Sequence, residues 1–189
     1  MHVKVLQGRV VRIAIINGYN LKMRHAGHRA DPVTTTRCFV LTISDSRNLE
    51  TDKSGAAIVE LLEAADHEIS NRKIVPDDPE QIQSTIRTVL KDTQVRIIIT
   101  TGGTGISSRD LTYEAIDELL ERRLDGFGEL FRTLSYQEIG PAAMLSRAIA
   151  GTAKKHIIFS LPGSEHAVRL AMQKLVLPEL RHIIQEISR

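Results

Sequence analysis

The chain has 189 residues, 42% of them hydrophobic, enough for one domain with a sizeable core. Its 25 basic and 23 acidic residues leave a formal charge of +2, with the basic ones scattered, and only 4% of the chain is aromatic. A clustered basic face and a stacking platform for single strands are both lacking, so no nucleic-acid partner is expected.

Nor is a membrane partner, because no stretch is long and apolar enough to span a bilayer. The N-terminus lacks the uninterrupted apolar core of a secretory signal, which makes a cytoplasmic location the default expectation. Residues 1–35 read as an N-terminal extension or arm, and 36–189 as the main domain. Within the arm, "VKVLQGRVVRIAIING" has strand-like composition and stops at the turn pair Asn17-Gly18. The next stretch has no periodicity, and its His25 and His28 have no Cys or carboxylate cluster beside them, so they read as solvated rather than metal-binding. Cys38, the only cysteine, rules out a disulfide framework and a cysteine-rich zinc site, and reads as a small core residue rather than a nucleophile.

From Arg37 the pattern becomes regular. "CFVLTIS" is an apolar run of strand length, and "AAIVELLEAAD" places Ile58, Leu61, Leu62 and Ala65 on one helical face. "HEISNRKIV" is a weaker strand. In "PDDPEQ", Asp78 can cap a helix, Pro79 suits its first position and Gln81 completes a capping box; Ile82, Ile86, Val89 and Leu90 then line its buried face. "VRIIITT" reads as a central parallel strand covered on both faces. Thr112 can cap a helix carrying Ile116, Leu119 and Leu120, and "LDGFGELFRTLSYQEIG" and "PAAMLSRAIAG" read as shorter helical pieces. "KHIIFSLPGS" is a further buried strand and turn. Ser164 caps a helix bearing Val168, Ala171, Met172 and Leu175, and Pro178 starts a fresh or kinked one. This alternation implies an α/β fold with a mostly parallel sheet between two layers of helices.

Ligands in such sheets bind beyond the carboxyl ends of the strands. Three strands here end in small polar loops: "TISDSR", "TTGGTGISSRD" and "SLPGS". No lysine follows the glycines, which excludes a Walker P-loop, and the third position of a G-x-G-x-x-G fingerprint falls on Ser108. What remains is an anion or phosphate cradle of backbone N–H groups, with the hydroxyls of Thr101, Thr104, Ser107 and Ser108 as further donors. Asp110 would repel a lone phosphate, but becomes sensible if a divalent cation bridges carboxylate and phosphate. Asp77 can supply a second carboxylate to the same edge. Asp45, in a loop with Arg47, is open to a salt bridge or to binding a ligand's N–H groups.

The ordered set "LTISDSR", "DKSG", "TTGGTG", "GFGELFR", "LSRAIAG" and "SLPGS" resembles the molybdenum cofactor biosynthesis proteins MoaB and MogA, with the later segments nearer the MoaB branch. The resemblance runs from Arg37 to about Met172. It implies a three-layer α/β/α molybdopterin-binding fold in a homo-oligomer, trimer or hexamer. It also implies transfer of AMP from magnesium-ATP to the terminal phosphate of molybdopterin, with release of pyrophosphate. Mapped onto this chain, Gly102, Gly103, Thr104 and Gly105 would cradle the substrate phosphate, and Asp77 and Asp110 would be catalytic and hold magnesium. Ser44, Asp45 and Ser46 would form the pterin-side loop, and Leu161, Pro162, Gly163 and Ser164 the family's "LPG" loop. Residues 1–35 have no recognised counterpart and read as an oligomerisation arm, an added strand or the product of an early start codon.

Overall fold

The apolar run at Cys38 becomes the first strand of a six-stranded sheet in the computed structural model, which describes residues 35–189 and the backbone of two short strands, β1 (Val5–Leu6) and β2 (Arg9–Val10). β1 and β2 pair antiparallel within a unit spanning Met1–Pro32; the second unit is Val33–Arg189. The remainder of the strand-like N-terminal run, His25 and His28 lie outside the described residues.

The sheet strands are β3 (Arg37–Ile43), β4 (Glu68–Val75), β5 (Val95–Thr101), β6 (Arg122–Arg123), β7 (Ile149–Ala153) and β8 (His156–Leu161), in the order β4-β3-β5-β8-β7-β6. The first four in that order run parallel, while β7 is antiparallel to both β8 and β6. Chain direction across the sheet reverses between β3 and β5. That is where open α/β sheets leave a crevice at their carboxyl edge.

Alternation along the central strands sorts side chains into two cores. Cys38, Val40, Ile97, Ile99, Ile157 and Phe159 face α1 (Lys53–Glu63), α4 (Asp125–Ile139), α5 (Glu165–Ala171) and α6 (Leu177–Ser188). Phe39, Leu41, Ile98 and Ile158 face α2 (Pro79–Val89) and α3 (Thr112–Asp117). The layers are therefore α/β/α, as expected. Ile97, Ile98 and Ile99 are fully buried, each worth about 1.5–3 kcal/mol of apolar transfer. Burial pushes the Cys38 thiol up to about 12, so it is a core residue and no nucleophile at neutral pH. Among the described residues no helix is long and apolar enough to cross a membrane.

Three local expectations change. "RAIAG" is not helical: Ile149–Ala153 form β7, whose small residues face the aromatic side chains of α4 on one side. At Gly151 the chain passes so close to β6 that an added Cβ would lie 2.4 Å from the Arg122 carbonyl oxygen. Alanine's helix propensity yields here to tertiary packing. "LDGFGELFRTLSYQEIG" gives a 15-residue helix rather than a short piece, and a 3-10 turn, Gly140–Leu145, follows it. Thr112 does not cap α3 but is its first residue, and the helix ends at Asp117, before Leu119 and Leu120.

Other boundaries match. Ser164 Oγ accepts from Ala167 N–H at 3.2 Å, and a π turn over Met172–Val176 leads into the helix that holds Pro178 in its first turn. Asp78 caps α2 through Gln81 N–H at 2.9 Å with Pro79 first in the helix. The capping box stays half made, because Asp78 N–H donates to the Pro76 carbonyl at 2.8 Å instead of to Gln81. Asp78→Ala should therefore cost about 1 kcal/mol and lower Tm by about 2–4 °C, whereas Gln81→Ala should stay within about 0.5 kcal/mol in the same thermal melts. Equal losses for the two would mean the reciprocal bond forms after all.

Candidate functional site

Parallel register sets the site. Thr42, Thr101 and Leu161 are level across β3, β5 and β8, so three loops leave the sheet side by side. Neighbouring strands lie about 4.8 Å apart, which leaves little room for side chains where their loops pass. Glycine solves this. Gly102 has φ +108°, and a Cβ there would sit 2.2 Å from the Ile43 carbonyl oxygen. Its N–H donates to the Leu161 carbonyl at 3.1 Å, and a Cβ on Gly163 would approach Gly102 Cα to 3.3 Å. Thr101 Oγ1 donates to the Pro162 carbonyl at 2.8 Å, stitching the second loop to the third.

The next two glycines admit carboxylates. At Gly103, φ +62°, a Cβ would lie 2.1 Å from Thr112 Oγ1 and 2.5 Å from Asp77 Oδ2. At Gly105 it would lie 2.6 Å from Asp110 Oδ2. Among the described residues, the N–H groups of Gly103, Thr104 and Gly105 donate to no protein acceptor, whereas that of Gly102 is spent on Leu161. Three consecutive amides thus lack an acceptor among the described residues. Thr104 is buried, and Ser107 and Ser108 are exposed at the rim.

Asp77, Asp110 and Asp45 come from three different loops and meet beside those amides. Asp77 N–H donates to Asp45 Oδ1 at 3.1 Å, and Thr112 Oγ1 donates to Asp77 Oδ1 at 3.4 Å. Burial raises the Asp77 carboxyl above its ordinary value; bonds from Leu111 N–H and Thr112 work against this, while the charges of Asp110 and Asp45 add to it. Asp110 Oδ2 accepts from Ser107 N–H at 2.8 Å, closing a short turn. No three His, Cys, Asp or Glu side chains among the described residues converge into a group that could hold a metal ion. A cation here would draw its other ligands from phosphates and water.

In the first loop, Ser44 Oγ accepts from Ser46 N–H at 3.3 Å and Arg47 N–H at 3.2 Å, and Ser46 is exposed. Asp45 is not paired with Arg47. The Arg47 Nη1 donates to Ser54 Oγ at 2.6 Å and to the Gly163 carbonyl at 3.0 Å, tying the first loop to the third. Ser164 is occupied as the cap of α5.

Two residues central to this geometry lie in the motifs "DKSG" and "LSRAIAG" but take no assigned role from the sequence. Asp52, fully buried, caps α1 through Gly55 N–H at 2.9 Å. It also accepts from Thr42 Oγ1 at 2.6 Å and Ser54 Oγ at 3.2 Å, pairs with Arg72 at 2.8 Å, and lies 3.8 Å from Arg47. Burial alone would raise its carboxyl, but the bonds from Thr42, Gly55 and Arg72, with the Arg72 charge, lower it. An Asp three positions before a glycine in a helical run is a helix-start signal, so the cap was readable in "TDKSG". Arg147 is the other: its partners lie 33–42 residues away, and no local pattern reveals it.

The Asp77 shift has a measurable sign. Its folded-state value lies above the unfolded one, so its ionisation weakens folding. That penalty is absent below the ordinary Asp range, grows as pH rises through the folded-state value, and is complete above it. In chelator-containing buffer, Asp77→Asn should raise Tm by roughly 2 °C at neutral pH, the gain shrinking as pH falls toward about 4. A variant less stable than the parent at neutral pH would show that the hydrogen bonds to Asp77 outweigh its burial.

Comparison with known proteins places this geometry in a family. A family model described as a probable molybdopterin binding domain matches residues 39–182. Molybdenum cofactor biosynthesis protein B of Bacillus cereus is 50% identical over 163 residues, which cover 86% of this chain and 96% of the relative. A crystal structure of a molybdenum cofactor biosynthesis protein B superposes with TM-score 0.82 at 51% identity, covering 84% of this chain and 99% of that one. The tungsten cofactor synthesizing protein MoaB from Pyrococcus furiosus gives TM-score 0.74 at 37% identity, covering 82% of this chain and 98% of its own. With three loops locked at one sheet edge and a match running through all of them, the chain belongs to the MoaB/MogA family of molybdenum cofactor biosynthesis proteins.

Proposed function

We propose that the chain is a molybdopterin adenylyltransferase. It binds the terminal phosphate of molybdopterin on the free amides of Gly103, Thr104 and Gly105 and joins it to AMP from magnesium-ATP. An oxygen of the pterin phosphate attacks the α-phosphorus of ATP. A new P–O bond forms as the bond to the β-phosphate breaks, and pyrophosphate leaves with its magnesium. No side chain forms a covalent intermediate. The chemistry is alignment and charge neutralisation.

The observation that carries this reading is the crowding of carboxylates beside an anion cradle. Asp77 is raised by burial and by the charges of Asp110 and Asp45, so the protein leaves negative charge uncompensated there. A divalent cation fits that surplus, and the ATP complex brings one as part of the substrate. Magnesium would supply charge neutralisation on the phosphates, with Asp77 and Asp110 as its protein ligands. Ser44, Asp45 and Ser46 on one side, and Leu161, Pro162, Gly163 and Ser164 on the other, would flank the pterin. Arg47 is committed to Gly163 and Ser54, whereas exposed Arg109, beside Asp110, has no ion pair among the described residues and is the better placed to meet ATP phosphates.

A homo-oligomer, trimer or hexamer, and a cytoplasmic reaction belong to the same proposal. Exposed Leu130, Tyr136, Ile139, Met144 and Leu145, on α4 and the 3-10 turn after it, offer an apolar surface for such contacts. The competing reading is a catalytically silent molybdopterin-binding or carrier protein. It is favoured by the lack, among the described residues, of any three-residue metal cluster.

Pyrophosphate release from magnesium-ATP by the purified protein, with and without molybdopterin, separates the two. The expected result is release that depends on molybdopterin. Asp110→Asn should retain pterin binding and lose turnover on the order of 100-fold. Binding without any release would leave the carrier reading, and an unchanged turnover in Asp110→Asn would remove that residue from the mechanism.

A further inference from the structure

Adenylyl transfer as proposed gives Arg147 nothing to do, yet each nitrogen of its guanidinium is bonded to protein. It sits between the 3-10 turn and β7, its side chain 27% exposed. Nε donates to the Gly105 carbonyl at 2.8 Å and Nη2 to the Asp110 carbonyl at 2.5 Å. Nη1 pairs with the Glu114 carboxylate, and the guanidinium carbon lies 5.2 Å from the centroid of the Tyr113 ring. Its backbone N–H donates to the Thr104 carbonyl at 3.2 Å.

We propose that Arg147 is the positioning residue of the anion cradle, gripping both ends of the Gly105–Asp110 excursion from behind so that the loop amides and the Asp110 carboxylate are held toward the ligand. Little else restrains this segment. Ile106, Ser107, Ser108 and Arg109 are exposed, and the internal bonds are a short turn in which Ser107 N–H donates to Asp110 Oδ2, Asp110 N–H to the Ser107 carbonyl and Arg109 N–H to Ser107 Oγ at 3.4 Å. The Thr104 carbonyl belongs to the peptide unit that carries the Gly105 N–H, and the two ends of a peptide unit point in opposite directions. The bond from Arg147 N–H therefore fixes that cradle amide, while the guanidinium fixes the Gly105–Ile106 and Asp110–Leu111 peptides that follow it. The task suits arginine in particular: two carbonyls and a carboxylate are met by one rigid planar fork, where an ammonium offers a point charge on a flexible stem. Glu114 and the Tyr113 ring, both on α3, hold the fork in place. With all three of its nitrogens bonded to protein, Arg147 acts through the loop.

The kinetic consequence rests on the adenylyl-transfer reading, whereas the structural one does not, so the test measures both. Amide hydrogen exchange and molybdopterin-dependent pyrophosphate release are compared in the parent, Arg147→Ala and Arg147→Lys, each with and without dilute guanidinium. Arg147→Ala should exchange the Ser107 and Asp110 amides about tenfold faster or more, with the strands β3 and β5 unchanged. Its turnover should fall on the order of 100-fold, as misplacement of a reacting group by about an ångström would produce. Guanidinium should restore both protection and turnover in Arg147→Ala, and Arg147→Lys should recover neither fully. Should Arg147→Ala fail to fold, Arg147→Met keeps the apolar stem and carries the same expectations for exchange and turnover. Three results overturn the proposal: loop exchange unchanged, exchange accelerated equally throughout the sheet, or Arg147→Lys indistinguishable from the parent. A parent without pterin-dependent release sinks adenylyl transfer instead, and the exchange pattern still decides for or against Arg147.

Discussion

The site depends on one close approach: the backbone at Gly102 packed against the carbonyl of Ile43 and bonded to that of Leu161. Parallel register brings β3, β5 and β8 to the same height, so their loops must pass within a strand spacing of one another. Only a residue without Cβ, able to hold φ +108°, lets the middle loop through. Once that contact is made, Thr101 can reach Pro162, Arg47 can reach Gly163, and the next three amides are left without an acceptor among the described residues. The cradle is a consequence of packing three loops where there is room for backbone alone.

Two polar anchors of opposite sign stand on either side of this contact. Asp52 is a buried acceptor that collects Thr42, Ser54, Gly55 and Arg72, and it holds the start of α1 against β3 and β4. Arg147 is a donor that collects carbonyls of the glycine loop and the start of α3. Buried ion pairs are weak sources of net stability, since desolvation offsets most of the Coulomb gain. Their effect here is geometric. Each fixes several elements at one point, and removing one partner would leave a charge or several carbonyls stranded. The lowered carboxyl of Asp52 and the raised one of Asp77 show the contrast within a single edge, between a carboxylate whose hydrogen bonds outweigh its burial and one whose burial outweighs its bonds.

Much of this was legible in the residues because it is written in local patterns. Continuous apolar runs identify β3, β5 and β8, helical spacing identifies α1 and α2, and Asp78, Pro79 and Ser164 mark helix starts that the structure keeps. What was not legible lies in contacts between distant segments. β7 carries two alanines, which favour helix in isolation, and its strand state comes from β8 and β6 beside it. Thr112 looks like a cap, yet its hydroxyl is turned to Asp77, 35 residues earlier. The three glycines announce an unusual backbone but not its purpose. One clears a carbonyl and two clear the carboxylates of Asp77 and Asp110, which only the folded chain brings together.

Those two purposes explain why an anion cradle is lined with acids. The charges of Asp110 and Asp45 act on the Asp77 carboxyl, so the negative charge gathered at this edge weakens the binding of any bare phosphate. On the adenylyl-transfer reading, the cation that ATP brings would relieve that repulsion and attract phosphate. Under adenylyl transfer, the terminal phosphate of the pterin and the magnesium-bound phosphates of ATP therefore bind better together than apart. Each supplies the charge that makes the site tolerable to the other. On that reading, the raised carboxyl of Asp77 is a cost of burial at the sheet edge that a cation would offset.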